Sequence, residues 1–258
     1  MRRYFVKLGK EAAIYGFGRA LGRFIAIFLV PIYTRIFNPD QYGIIELIGV
    51  SFTFLGLFLN LGLDTAMFFY FNEEKSELER QKTLGTVLIL KIATNILVGL
   101  ILILVAHKFS NFLFNSVEYR IFIVLAAITL IFTNISSYFS NVFRINHQPW
   151  RYMYISVTNV IISVIISITL VVILKMGLFG AYLASLSTAI IIFILSFILG
   201  NKYISFKFSL SRLIELLKYG LPLIPGSISI WLMNAGNRYF INNYLDLNQL
   251  GLYSIGFR

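Results

Sequence analysis

The chain has 258 residues, of which 58% are hydrophobic and 13% charged, and its mean hydropathy is +0.81. Soluble domains carry about 25% charged residues, so this composition excludes a soluble fold, whose one core could not hide so much apolar surface. The net charge of +11 would suggest nucleic acid in a soluble protein, but no polar stretch here is long enough for a binding module, and basic residues collect in the cytoplasmic loops of membrane proteins.

A membrane-spanning helix needs roughly 20 largely apolar residues. In chain order the pattern predicts spans at about 12–33, 42–70, 83–106, 121–143, 152–174, 177–199 and 219–241, with an eighth opening near Leu250. The start, Met1-Arg2-Arg3, faintly resembles a signal peptide. Arg19 and Arg23 interrupt the apolar run and no small-residue cleavage site follows, so the segment is expected to stay as a first span. Spans four, five and six contain no charged residue.

Orientation follows from Lys and Arg. One alternating set of loops holds thirteen of them, and the other holds five: Arg35, Lys108, Arg120, Lys175 and Arg238. The asymmetry predicts a cytoplasmic N-terminus and cytoplasmic even-numbered loops.

The longest basic loop, 200–218, places Leu210, Leu213, Ile214 and Leu217 at helical spacing beside Arg212, Glu215 and Lys218. This predicts an amphipathic interfacial helix. A weak repeat supports a boundary there, since Gln41-Tyr42-Gly43-Ile44 recurs as Gln249-Leu250-Gly251-Leu252 at an offset of 208. The expected fold class is therefore an all-α integral membrane protein. A six-span bundle covers 1–199, a cytoplasmic amphipathic linker 200–218, and the start of a second, pseudo-symmetric bundle 219–258. A span cannot stop in mid-bilayer with its backbone unsatisfied, so the chain is expected to be truncated in span eight.

Catalytic motifs are missing. Asp40, Asp64 and Asp246 are isolated, His107 and His147 fall in loops on opposite sides, and Gly9-Lys10-Glu11 lacks the rest of a phosphate loop. No enzyme, metal or cofactor is expected. The informative residues are charges inside spans, which are costly in lipid and face a bundle interior or a wet cavity. Arg19 and Arg23 lie one turn apart on one face, and Lys91 and Asp64 reach comparable depth, so the four can meet in a net-positive cavity. Arginine suits phosphate there, because its planar fork makes bidentate contacts. Asn60, Asn95, Asn134 and Asn141 can add hydrogen bonds or serve helix packing.

Blander roles compete for each residue. Arg19 can snorkel to headgroups, Lys91 can form a structural pair with Asp64, and Glu46 can pair with Arg35 or be solvated. Arg238 is either an interfacial anchor or a cavity cation. Gly16, Gly18, Ala20 and Gly22 suit close helix packing. Pro222 and Pro225, three apart, predict a kinked or broken helix of the kind that lines transport paths.

The run from Leu29 through Pro31, Tyr33, Arg35, Asn38 and Pro39 to Tyr42-Gly43 resembles the first-span signature of the polysaccharide-type flippases. So do Tyr219-Gly220-Leu221-Pro222-Leu223-Ile224-Pro225-Gly226 and Asn237-Arg238-Tyr239-Phe240-Ile241 with Leu250-Gly251-Leu252-Tyr253. The family belongs to the multidrug/oligosaccharidyl-lipid/polysaccharide exporter superfamily. The resemblance implies two pseudo-symmetric bundles in the bacterial cytoplasmic membrane and alternating access. It also implies transport of undecaprenyl-diphosphate-linked oligosaccharides for O-antigen, capsule or exopolysaccharide. Implied partners are the lipid-linked oligosaccharide, membrane lipids and the polysaccharide polymerase machinery, with no nucleic acid. Arg19 and Arg23 match basic positions of the family's first span. Asn237 stands where the family often has an acidic residue, which puts a coupling role for that position in doubt. Rival expectations are a drug exporter of the same superfamily, a membrane-embedded polymerase or glycosyltransferase, and an inactive partial product.

Overall fold

The computed structural model describes residues 33–257, with Gly16 and Pro31. The first span, with Arg19 and Arg23, lies outside the described residues. Among these, six helical segments are long and apolar enough to cross a membrane: Pro39–Glu73, Glu77–Leu104, Arg120–Ile145, Pro149–Ile173, Gly177–Tyr203 and Leu210–Tyr244. They correspond to expected spans two to seven.

Span two is not one helix. It divides into α1 (Pro39–Asn60) and α2 (Leu63–Glu73). Asn38 caps α1, its side chain accepting from the Gln41 N–H at 2.9 Å while the Gln41 side chain accepts from the Asn38 N–H at 3.2 Å. The division falls at Leu61 and Gly62, both left-handed at φ 49° and 68°. A methyl group on Gly62 would overlap the backbone of Gly220, so this turn needs glycine for its conformation and for a close approach.

Span three is α3 (Glu77–Leu104), which turns at Val105 into a short helix that the sequence does not announce, α4 (Ala106–Phe114). Spans four to six are α5 (Arg120–Ile145), α6 (Pro149–Ser167, continued by a wide turn Ile168–Ile173) and α7 (Gly177–Gly200). Residues 204–209 are extended and lead into α8 (Leu210–Gly220). One tight turn, Leu221–Leu223, joins α8 to α9 (Ile224–Trp231). Pro222 sits in that turn and Pro225 in the first turn of α9, where a missing N–H is tolerated. A wide turn, Leu232–Gly236, then leads to α10 (Asn237–Tyr244), and α11 (Leu247–Phe257) follows.

Packing centres on Leu63, Met67, Val87, Tyr138, Phe143 and Leu216, which are buried between α2, α3, α5 and α8. Leu97, Leu104, Ile165, Ile198 and Met233 stay exposed. On a soluble protein that would be a liability; on helices of this length it is a lipid-facing coat.

The short sequence repeat has a structural counterpart. Asp246 caps α11 by accepting from the Gln249 N–H at 2.7 Å, as Asn38 caps α1 through Gln41. Helices α1 and α11 cross at their starts, and both crossing points are glycine. A methyl on Gly43 would overlap the Leu247 carbonyl oxygen, and a methyl on Gly251 would overlap that of Pro39. At an offset of 208, residue 43 maps to 251 and residue 39 to 247, so these are two equivalent contacts exchanged by the repeat. That reciprocity is the mark of a local two-fold relation. Below the crossing, Ser51 and Tyr239 share a hydrogen bond of 2.7 Å, and Trp231 Nε1 donates to the Val50 carbonyl at 3.2 Å.

Candidate functional site

Four cations bear on the candidate site, and three of them are neutralised; part-buried Arg80 and Arg151 instead donate to the Glu74 and Leu199 carbonyls. Lys91 is fully buried on α3, and its ammonium lies 2.8 Å from the Asp64 carboxylate on α2. It also donates to Asn134 Oδ1 on α5 at 3.2 Å. Asn95, one turn further along α3, donates to the Lys91 carbonyl at 2.7 Å. The left-handed break at Gly62 starts α2 so that Asp64, in its first turn, reaches Lys91.

Arg238 is buried on α10 and pairs with Glu46 on α1 at 3.3 Å. It also donates to the Asn234 carbonyl and to Asn237 Oδ1. Its guanidinium lies 5.5 Å from the Tyr253 ring and 4.5 Å from the Phe257 ring. The expectation that Glu46 meets Arg35 or solvent is corrected: it is buried and faces an arginine 192 residues away. Glu46 lies on α1 and Asp64 on α2, on opposite sides of the break at Leu61 and Gly62. Lys91 and Asp64 therefore come together, while Arg238 sits apart from them; Arg19 and Arg23 lie outside the described residues.

The third neutralised cation is Arg212 on α8. It contacts Glu74 at 2.6 Å, Glu79 at 3.4 Å and Glu215 at 3.0 Å, with Tyr70 beneath its guanidinium. The extended stretch before α8 runs over span three, where Gly85 leaves no room for a side chain beside the Ser205 and Lys207 carbonyls.

The fourth cation, Arg144, has no carboxylate within ion-pair distance among the described residues. It lies at the last turn of α5, donates to Asn141 Oδ1 at 3.4 Å, and rests 5.1 Å from the Phe68 ring and 6.0 Å from Tyr152. It opens a cavity of 360 Å³ between α5, α6 and α7. Ser137, Ser140 and Asn141 on α5, with Ser156 and Asn159 on α6, line that cavity.

Of the groove's lining, only Asn141 is singled out from the sequence, because spans four and five carry no charge. The signal was there as polar periodicity: Thr133, Ser136, Ser140 and Arg144 recur every three to four residues on α5, and Tyr152, Ser156 and Asn159 on α6. Such spacing puts each set on one face. Arg144 was counted only as a loop charge.

Membrane-length helices, span openings crossing about a local two-fold, and ion pairs held inside define a multi-pass, all-helical membrane protein. Over residues 32–258 the sequence matches the family described as polysaccharide biosynthesis protein, and the chain belongs to that family. It is 25% identical to "Lsg locus putative protein 1" of Haemophilus influenzae over 265 aligned residues, covering 97% of this chain and 61% of that protein. Among solved structures it is similar to the inward-facing conformation of a multidrug resistance MATE family transporter of the MOP superfamily. The TM-score there is 0.69 at 16% identity, over 96% of this chain and 57% of the other. The outward-facing conformation of such a transporter scores 0.69 at 14% identity, over 97% and 62%. A MOP superfamily transporter from Pyrococcus furiosus scores 0.68 at 16% identity, over 98% and 62%. Both conformations score alike, so the likeness is one of fold. The chain spans about three-fifths of the length of the relatives it matches.

Proposed function

We propose that this chain is the first bundle, and the opening of the second, of a flippase for lipid-linked oligosaccharides. Residues 1–199 form the first bundle, 200–218 the linker and 219–258 the start of the second. The substrate is an undecaprenyl-diphosphate-linked repeat unit, carried across the bacterial cytoplasmic membrane for surface polysaccharide. The N-terminus and the end bearing Arg144 and Arg212 face the cytoplasm.

The observation that carries this reading is the hydroxyl- and amide-lined groove within a bundle of otherwise apolar spans. Polar side chains at membrane depth are costly unless they meet one another, water or a polar solute. A sugar offers the hydroxyls such a wall can bond, while its lipid tail stays in the bilayer. Arg19 and Arg23 are proposed to meet the diphosphate from span one. Lys91 contributes less direct attraction, since Asp64 answers its charge. A multidrug-type exporter is the alternative that the shared fold keeps open. A cationic drug would want a free carboxylate, but Asp64 and Glu46 each face a cation.

The test is translocation of a fluorescent polyprenyl-diphosphate oligosaccharide in proteoliposomes, with a cationic dye in parallel. Transport of the oligosaccharide lipid alone is expected. Dye transport without it would replace this reading by the exporter.

A further inference from the structure

We infer that Arg144 and the groove above it form a loading site for a phosphate-linked sugar, with the phosphate on Arg144 and the sugar along Ser140, Ser156 and Asn159. The inference rests on the proposed function for the origin of the ligand, and on the groove itself for its chemistry.

Charge and position together select Arg144: Arg80 and Arg151 also lack a carboxylate partner, but they donate to the Glu74 and Leu199 carbonyls and do not line the groove. Lys91, Arg212 and Arg238 each have a carboxylate within 3.4 Å. Arg144 has aromatic rings and one amide instead. A guanidinium has five N–H donors, so most of those on Arg144 stay available to an incoming anion. The rings of Phe68 and Tyr152 hold its plane without cancelling its charge. Arg144 is one residue from the end of α5. That depth suits a phosphate still at headgroup level.

The groove supplies the other half of the site. From Arg144 to Thr133 it follows α5 for 11 residues, about 16 Å. The hydroxyls of Ser136 and Ser137 donate to carbonyls of their own helix and keep lone pairs to accept from a ligand. Ser140, Ser156 and Asn159 spend no side-chain hydrogen bond within the described structure. Asn159 is exposed about 15 Å along α6 from Pro149, where a free amide facing hydrocarbon would be costly. One cation at the mouth and neutral hydrogen-bonding groups beyond it form a polarity that matches a phosphate followed by a sugar. A free phosphate or an ordinary anionic phospholipid headgroup would use the mouth alone.

The test is equilibrium binding of three probes to the protein in phosphatidylcholine nanodiscs: farnesyl diphosphate, its N-acetylglucosamine-linked form, and short-chain phosphatidylglycerol. Charged hydrogen bonds contribute about 1.5–3 kcal/mol, so Arg144→Gln should weaken both diphosphates by roughly ten- to a hundredfold. Arg144→Lys should fall between, keeping the charge but not the fork. The Ser156→Ala/Asn159→Ala pair should weaken only the sugar-bearing probe. Equal binding of all probes by wild type and Arg144→Gln overturns the site. Loss of phosphatidylglycerol in parallel with the diphosphates, with no effect of the α6 pair, reduces it to a headgroup site and also overturns the proposal. Thermal unfolding of each variant guards against misfolding, and Arg144→Lys decides the matter if Arg144→Gln does not fold. Arg144-dependent sugar binding without translocation would leave this site standing and remove the flippase reading. Translocation untouched by Arg144→Gln would do the reverse.

Discussion

Residues 210–257 touch the preceding described helices at two ends, by different means. At one end α11 crosses α1 with backbone against backbone at Gly43 and Gly251, and the buried Glu46–Arg238 pair lies nearby. At the other, α8 is fastened by Arg212 to three carboxylates whose side chains are 29%, 33% and 49% exposed. The first contact has no slack, because a glycine crossing leaves no atom to reorient. The second is built from long side chains in partial contact with water, where each pair contributes little and salt screens it. The proposed flippase would gain from such a contrast: one contact that is all-or-none, and one that yields gradually. Gly62 against Gly220 adds a close backbone approach on the Arg212 side, so the flexible part there is the set of ion pairs and not the whole interface.

The comparison can be broken most severely at the buried pair. Glu46→Gln leaves Arg238 without its carboxylate in a buried place, and is expected to cost about 3 kcal/mol, read as a lower thermal midpoint in detergent. An unchanged midpoint would show that the amides and rings around Arg238 suffice. Next comes the crossing. Gly251→Ala must push α1 and α11 apart, at a cost of about 1–3 kcal/mol, and spin labels on the two helix starts should report a longer distance. Gly226→Ala is the control, since a methyl there meets nothing within 4 Å and alanine favours a helix; stability should hold or rise slightly.

The smallest loss belongs to the ion-pair hub. Arg212→Gln should cost about 1 kcal/mol, and its difference from wild type should shrink as salt rises from low to molar concentration. A difference that stays constant with salt would mean that α8 is held by its apolar face on Leu216 and not by charge. That result would erase the contrast between the two ends.

Much of this was readable in the chain. Asn38-Pro39 followed by Gln41, and Asp246 followed by Gln249, are helix-start signals whose mechanism is local, and the structure uses both caps. The repeat around Gly43 and Gly251 pointed to related halves, although four matching positions could not say that the two copies touch each other. The site was less legible. Lys91 beside Asp64 was weighed as a pair because their depths agreed, but depth along two helices does not reveal which faces meet. For Glu46 the nearest arginine in sequence was the natural partner, and the structure supplied one from another span. The polar faces of α5 and α6 obey helical periodicity, but beyond Asn134 and Asn141 nothing in the sequence sets their hydroxyls and amides apart from common helix-packing groups.

The sequence by itself determined the lipid environment, the positions of the spans after the first and the capped starts of α1 and α11, since each depends on local composition: enough apolar residues to cross hydrocarbon, and caps within one turn. Tertiary structure alone decided where charge remains. Lys91, Arg212 and Arg238 are met by carboxylates on other helices, as many as 192 residues away, while Arg144 meets none among the described residues. The physical reason is that an ion pair depends on a distance of about 3 Å through space, which no spacing along the chain can fix.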